Sequence, residues 1–357
     1  MSSLIRKSVQ AMRGYVPGEQ PRVRGLVKLN TNENPYPPSA RVARALREFD
    51  AQRLRLYPDP VSRKLRERIA RIHGCGAGQV FVANGSDEAL ALCTRAFVED
   101  RGTIGFFDPS YSLYPVLAEI RGASTRPVAL GPGFDWRMPR GYRCSLFFLA
   151  SPNAPTSVQY PKAAVREFCR RMPGVVLIDE AYEDFAREDC MDLARELPNV
   201  LVMRTLSKSF SLAGLRLGYV VGNEELIGAL LKIKDSYNVD ALAQAVALAA
   251  LSDLRHMRAN AARIRRTRAR LSIALEELGF KVLPSETNFL WAEPPRLQAR
   301  SLFRRLRERR ILVRYFPGPR TGRHLRITVG TDEEASRLIS VTRRLVGAAV
   351  ALKRARP

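Results

Sequence analysis

Six short apolar runs recur through the middle of the chain: Val80-Phe81-Val82-Ala83, Thr103-Ile104-Gly105-Phe106-Phe107, Ser145-Leu146-Phe147-Phe148-Leu149-Ala150, Val175-Val176-Leu177-Ile178, Asn199-Val200-Leu201-Val202-Met203 and Leu217-Gly218-Tyr219-Val220-Val221. They lack the apolar–polar alternation of a strand with one wet face. Near-continuous runs of this length fit strands buried on both faces, as in parallel sheets covered by helices. The intervening stretches supply helices at about 61–73, 86–99, 114–121 and 161–172. The expected fold class is α/β, a large domain with a mostly parallel sheet between helices. In such sheets function gathers beyond the carboxyl ends of the strands. The runs lead there into Asn84, Asp108, Ser151, Asp179 and Ser207.

The pattern changes after Asn223. Helices are expected at about 224–237 and 241–251. A longer one carries Leu254, Met257, Ala261, Ile264, Leu271, Leu275 and Leu278 at three- and four-residue steps, and Gly279 ends it. Short strands at Lys281-Val282-Leu283, Thr287-Asn288-Phe289-Leu290-Trp291, Ile311-Leu312-Val313-Arg314 and Leu325-Arg326-Ile327-Thr328-Val329 alternate with helices at about 297–310 and 333–353. This reads as a smaller α+β unit. The large domain is expected over 30–253, with 1–29 as an N-terminal arm and 254–357 as the small C-terminal domain. The arm holds a turn at Gly14-Tyr15-Val16-Pro17-Gly18 and a short strand, Leu26-Val27-Lys28-Leu29. Asn30-Thr31-Asn32-Glu33-Asn34-Pro35-Tyr36-Pro37-Pro38 cannot be helical because of its prolines. It is a loop whose polar density, Asn32 included, suits the wall of a site.

The chemistry concentrates in Thr205-Leu206-Ser207-Lys208-Ser209, which follows one apolar run, and Asp179-Glu180-Ala181-Tyr182, which follows another. An amine, a carboxylate and a phenol at strand ends are what a pyridoxal-phosphate site needs. The amine forms a Schiff base when deprotonated, and nearby cationic charge favours that state. A carboxylate against the ring nitrogen keeps the ring an electron sink, and Asp179 suits that place. Tyr182 can bond the ring hydroxyl and Tyr111 can stack on the ring. Ser207 and Arg216 can hold the phosphate together with the amides of Gly85-Ser86-Asp87, where a strand turns into a helix start.

Composition narrows the alternatives. The net charge of +24 raises the question of nucleic acid. No helix-turn-helix or zinc finger is appended, so the arginines read as solvated helix faces that also attract phosphorylated substrates. Nucleic-acid and membrane partners are not expected, and no apolar run approaches the length of a membrane span. The start of the chain lacks a signal-peptide core, which makes a cytoplasmic location the default. The five cysteines, Cys75, Cys93, Cys144, Cys169 and Cys190, form no C-x-x-C pair, and the three histidines are far apart; no metal is expected. Gly74-Cys75-Gly76-Ala77-Gly78 ends a helix and reads as a C-cap and turn, not a dinucleotide loop. G-x-x-x-x-G-K, G-x-S-x-G and H-E-x-x-H do not occur.

Taken together, Asn32-Glu33-Asn34-Pro35, Tyr57-Pro58-Asp59, Asn84-Gly85-Ser86-Asp87-Glu88, Asp108-Pro109-Ser110-Tyr111, Pro152-Asn153, Asp179-Glu180-Ala181-Tyr182, Thr205-Leu206-Ser207-Lys208, Leu212-Ala213-Gly214-Leu215-Arg216 and Leu325-Arg326-Ile327-Thr328-Val329-Gly330 resemble the fold-type I, class I/II pyridoxal-phosphate aminotransferases. The chain is similar, more narrowly, to the histidinol-phosphate aminotransferases, from about residue 15 to 342. The resemblance implies a homodimer of the aspartate-aminotransferase-like fold that binds pyridoxal 5′-phosphate. It implies ping-pong transfer between histidinol phosphate and 2-oxoglutarate in histidine biosynthesis. Lys208 then carries the Schiff base and shifts the proton, and Asp179 pairs with the ring nitrogen. Asn153 and Tyr182 bond the ring oxygen, Ser207 and Arg216 hold the phosphate, and Tyr57 reaches the partner subunit's site. Arg326 and Arg314 grip substrate anions, with Tyr15 and Asn32 on the substrate side.

Two departures from the family pattern stand out. Ser157 occupies the glycine place that ends the Ser151-Pro152-Asn153-Ala154-Pro155-Thr156 turn, which predicts an altered turn, and Pro37 replaces another glycine. Both face the substrate wall. Alternatives within the family are an aromatic or other amino-acid aminotransferase and a threonine-phosphate decarboxylase. An alternative of another class is a basic nucleic-acid-binding protein on the same scaffold.

Overall fold

The structure, a computed structural model, describes residues 4–295 and 297–354. The arm contributes α1 (Lys7–Ala11) and β1 (Val27–Lys28). Then come α2 (Ala40–Arg47), α3 (Arg63–His73), β2 (Val80–Ala83), α4 (Ser86–Phe97), β3 (Thr103–Asp108), α5 (Leu113–Arg121) and β4 (Ser124–Ala129). They are followed by β5 (Leu146–Ala150), α6 (Lys162–Arg171), β6 (Val175–Asp179), α7 (Leu193–Glu196), β7 (Val200–Thr205) and β8 (Gly218–Gly222). The remainder comprises α8 (Glu224–Ile233), α9 (Ala241–Leu251), α10 (Leu254–Glu277), β9 (Lys281–Val282), β10 (Phe289–Glu293), α11 (Ala299–Glu308), β11 (Ile311–Leu312), β12 (Arg314–Tyr315), β13 (Leu325–Thr328) and α12 (Asp332–Arg354).

The expected sheet is present with seven strands in the order β2-β8-β7-β6-β5-β3-β4. From β7 through β4 neighbours run parallel, while β8 is antiparallel to both β7 and β2. Its reversal follows from the connection: β7 and β8 are joined by the Lys208 loop without a crossover helix, so the chain returns alongside itself. Both faces are buried, as the apolar runs require. Along β5, Phe147 and Leu149 join one apolar cluster and Leu146, Phe148 and Ala150 join the other. Successive side chains of a strand point to opposite faces, and each fully buried large apolar side chain stabilises the fold by roughly 1.5–3 kcal/mol.

Two elements were not legible as apolar patterns. Strand β4 is an edge strand in which only Val128 is buried, and it contains Pro127, which edges tolerate. Helix α1 has no buried residue at all. Helix α3 ends at Gly74 with φ 62°, the left-handed C-cap expected of that glycine stretch.

A four-stranded antiparallel sheet, β12-β13-β10-β9, follows α10, and β1 pairs with β11 in parallel beside it. The run 311–314 is therefore divided between two sheets, with Val313 buried at the join. The sheet packs on α10, α11 and α12 through Leu271, Leu275, Leu302, Leu306 and Leu338. The buried stripe of α10, Met257, Ala261, Ile264, Leu271 and Leu275, follows the predicted spacing. Among the described residues, no helix is long and apolar enough to cross a membrane, and no cluster of His, Cys, Asp and Glu is arranged to hold a metal. All five cysteines are free.

Candidate active site

The ends of β6 and β7, the start of α4, the loop after β1 and strands β12 and β13 converge on a cavity of about 250 Å³. Lys208 lies in the turn that β7 enters, and its Nζ donates to Thr31 O at 3.4 Å. The turn is braced from the opposite loop, where Asn34 Nδ2 donates to Lys208 O and Ser209 O, each at 3.1 Å. The backbone carrying the amine is thus fixed while the side chain reaches into the cavity. The Lys208 nitrogen stands 5.8 Å from the Tyr182 ring centroid.

Asp179 ends β6 and is buried. It accepts from the Tyr114 hydroxyl at 2.8 Å and from Ala181 N–H at 3.1 Å. Burial pushes its pKa up to about 6, against the opposing effect of those two donors. The buried carboxylate therefore favours a cationic partner. Tyr182 lines the same cavity, and its hydroxyl accepts from Asn32 Nδ2 at 2.9 Å. Asn32, at φ 57°, is itself locked by Thr328, whose Oγ1 accepts from Asn32 N–H at 3.1 Å and donates to Asn32 Oδ1 at 3.0 Å.

At the opposite end, Ser207, Arg216, Ser86 and Asp87 line the wall. Arg216, held at φ 56°, donates to Ser207 Oγ at 3.4 Å and lies 3.6 Å from Asp87 Oδ2. Gly85 precedes α4 at φ 84°, and a Cβ there would come within 2.6 Å of the Arg216 guanidinium. Glycine therefore lets the helix start and Arg216 approach each other. With no capping side chain from Gly85, the first-turn N–H groups of α4 keep their capacity to donate to an anion.

The distal wall carries Arg326, Arg314 and the arm residues Tyr15, Pro17, Gly18 and Gln20. Arg326 is half-buried; it donates to Asn30 O at 2.9 Å, while its buried Nε has no partner among the described residues. Burial, and secondarily the charge of Arg314, lower its pKa. Arg314 donates to Val16 O at 2.9 Å and Pro17 O at 3.1 Å, fastening the arm over the cavity. Tyr15 meets Tyr111 edge-on at 5.8 Å.

Of the residues expected in this subunit's own site, Gly85 and Asn153 do not line the cavity, Gly85 lying against Arg216. Asn153 is fully buried. Both its N–H groups are spent, on Pro109 O at 3.0 Å and Thr156 Oγ1 at 2.9 Å, and its carbonyl accepts from Ser110 at 2.7 Å. Its neighbour Ala154 lines the cavity instead, so the turn presents a methyl group where an amide was expected. Tyr57 lies outside the cavity, 81 % exposed and stacked on Tyr237 at 4.3 Å. Ser157 takes φ 67°, a left-handed conformation, so the serine retains a shape that glycine adopts readily instead of altering the turn.

Sequence reasoning missed several residues of the site and its support, among them Tyr114, Phe316 and Ala154. Tyr114 follows Tyr111 by three positions, a helical step that could have paired them. Phe316 follows Arg314 by two, just past the end of β12, a spacing that could have paired them. Ala154 carried no sequence signal of its own.

The family Aminotransferase class I and II matches residues 24–341. A histidinol-phosphate aminotransferase of Syntrophotalea carbinolica is 46% identical over 338 residues, covering 94% of this chain and 97% of the relative. One from Synechocystis is 44% identical over 344 residues, covering 96% and 98%. The crystal structure of histidinol-phosphate aminotransferase from Sinorhizobium meliloti, in complex with pyridoxal 5′-phosphate, shares the fold at TM-score 0.87 with 24% identity, covering 98% of this chain and 99% of that one. Aspartate aminotransferase of Thermus thermophilus with maleate shares it at TM-score 0.78 with 23% identity, covering 89% and 91%. From a match that spans nearly every element of the site, the chain belongs to the class I and II aminotransferases and, within them, to the histidinol-phosphate aminotransferases.

Proposed function

We infer that this chain transfers an amino group between histidinol phosphate and 2-oxoglutarate, a step of histidine biosynthesis, with pyridoxal 5′-phosphate as cofactor. The carrying observation is the convergence of Lys208, the buried Asp179 and the half-buried Arg326 with its unspent N–H on one cavity. The residues fit the cofactor. A buried carboxylate with a raised pKa suits a protonated ring nitrogen, and the glycine-start helix beside Arg216 and Ser207 suits a phosphate.

When bound, pyridoxal phosphate supplies an electron sink that makes the substrate Cα proton removable. This chain's residues do the rest. Lys208 provides the amine that takes and returns that proton, positioned by Asn34 and Thr31. Asp179 holds positive charge at the ring nitrogen. Tyr182, its oxygen already accepting from Asn32, keeps its own proton to donate to the ring oxygen. Asn153, fully bonded within the protein, has no part in this reading. Arg326 holds the substrate anion, and the arm with Tyr15 covers the cavity and limits water.

Tyr57, stacked on Tyr237, is exposed, as are Leu54 and Leu56, nearby in sequence. This supports a homodimer in which Tyr57 serves the partner's site. Separate apolar clusters on the two sides of the chain support a large domain over 30–253 with the arm and 254–357 forming the small one. A cytoplasmic location follows from the biosynthetic reaction.

The test is a substrate screen on purified, cofactor-loaded protein. Glutamate formation from 2-oxoglutarate with histidinol phosphate is expected to exceed that with aromatic amino acids by at least about tenfold, or ~1.4 kcal/mol of transition-state preference. Carbon dioxide release from phosphothreonine without amino transfer would overturn the reading.

A further inference from the structure

Arg314 and Arg326 face each other directly across the β12–β13 ladder. Like charges at facing positions of an antiparallel pair destabilise it, and here both side chains are only partly exposed. Facing like charges alone do not favour such a pair. The side chain beside them is Phe316. Its ring centroid lies 5.3 Å from the Arg314 guanidinium carbon and 5.2 Å from that of Arg326. Phe289 takes Arg326 at 5.4 Å as well.

Phe316 lines the cavity and is backed by Trp291 at 6.1 Å, which in turn stacks on His324 at 5.0 Å. Tyr315, the residue between Arg314 and Phe316, packs instead against Phe303 at 6.0 Å. The ring is therefore held in place independently of either arginine.

We propose that Phe316 is a positioning residue: its ring face accommodates both guanidinium groups, so that Arg314 can fasten the arm while Arg326 keeps a free N–H for the substrate anion. Two jobs that need two cations within one wall are made compatible by an aromatic ring, whose face attracts each cation while adding no charge of its own. Without the ring, repulsion from Arg314 would turn Arg326 away from the cavity or loosen the arm. Either change weakens anion binding.

This inference rests on the reading of Arg326 as the anion-binding residue, and the test separates the two. Succinate, a non-reacting dianion, is titrated calorimetrically into cofactor-loaded wild type, Phe316→Leu, Phe316→Tyr, Arg326→Gln and the double variant Arg314→Gln/Phe316→Leu with its Arg314→Gln parent. Phe316→Leu is expected to weaken binding about tenfold, with unchanged melting temperature and cofactor absorbance, and Phe316→Tyr to stay within about twofold of wild type. In the Arg314→Gln background the Phe316→Leu penalty should fall by at least half, a coupling that simple loss of packing would not produce. Should Phe316→Leu not fold, Phe316→Met replaces it with the same expectation. Wild-type affinity in Phe316→Leu, or equal weakening in Phe316→Tyr, overturns the role of the ring. Wild-type affinity in Arg326→Gln overturns the anion-site reading itself.

Discussion

At the scale of single residues, the site is set by how a few polar groups spend their hydrogen bonds. Lys208, Asp179, Tyr182, Ser207, Arg216, Arg326 and Arg314 all line one cavity; strand-end position pointed to Asp179, Tyr182, Ser207 and Lys208, and the family resemblance to Arg314 and Arg326. Asn153 does not line it, because its amide is consumed by Pro109 O of the loop after β3 and by Thr156 of its own turn. A sequence motif names the residue but not which way the turn points it. Asp179 yields a pH prediction. Its pKa is raised by burial from 3.8 to about 6. Between those values the folded, cofactor-free protein holds a proton that the unfolded chain has released. Asp179 therefore contributes stability present below pH 3.8 and lost as pH rises through about 6. The loss approaches about 3 kcal/mol at 1.36 kcal/mol per unit. Cofactor binding runs the other way, since it needs the carboxylate: affinity should fall about tenfold per unit below pH 6, and Asp179→Asn should lack this acid limb. Equilibrium titration followed by absorbance checks both.

At the scale of elements, the sheet was legible because six apolar runs can be buried on both faces in few other ways. What escaped were pieces without that signature: the edge strand β4, with one buried residue, and α1, with none. The direction of β8 also escaped, since an apolar run does not state which way it runs. Helix α5 turns out to serve the site through Tyr114, whose hydroxyl ties it to the end of β6. Tyr114→Phe leaves Asp179 Oδ2 without that donor. It should cost about 1–3 kcal/mol by denaturant unfolding near neutral pH. It should also move the acid limb of cofactor affinity to higher pH, because the lost donor favoured the ionised carboxylate. An unmoved limb would show that the hydroxyl is only a packing contact.

At the scale of the whole molecule, the sequence carried the resemblance over most of its length, and the family match covers residues 24–341. The basic charge of +24 finds no special site in that match and spreads over exposed arginines, many on α10 and α11. Association is legible only indirectly, through the exposed Leu54, Leu56 and Tyr57. If they form the subunit interface, Leu54→Asp/Leu56→Asp should shift light-scattering mass toward half the wild-type value and weaken cofactor retention with it. A wild-type mass in that variant would place the interface elsewhere. The most direct test of the central claim is a single-turnover absorbance measurement. Cofactor-loaded wild type mixed with histidinol phosphate should lose its visible band and regain it on addition of 2-oxoglutarate. Lys208→Ala should hold cofactor yet complete the same cycle at least about 10³-fold more slowly. A Lys208→Ala protein that cycles at the wild-type rate would contradict the account.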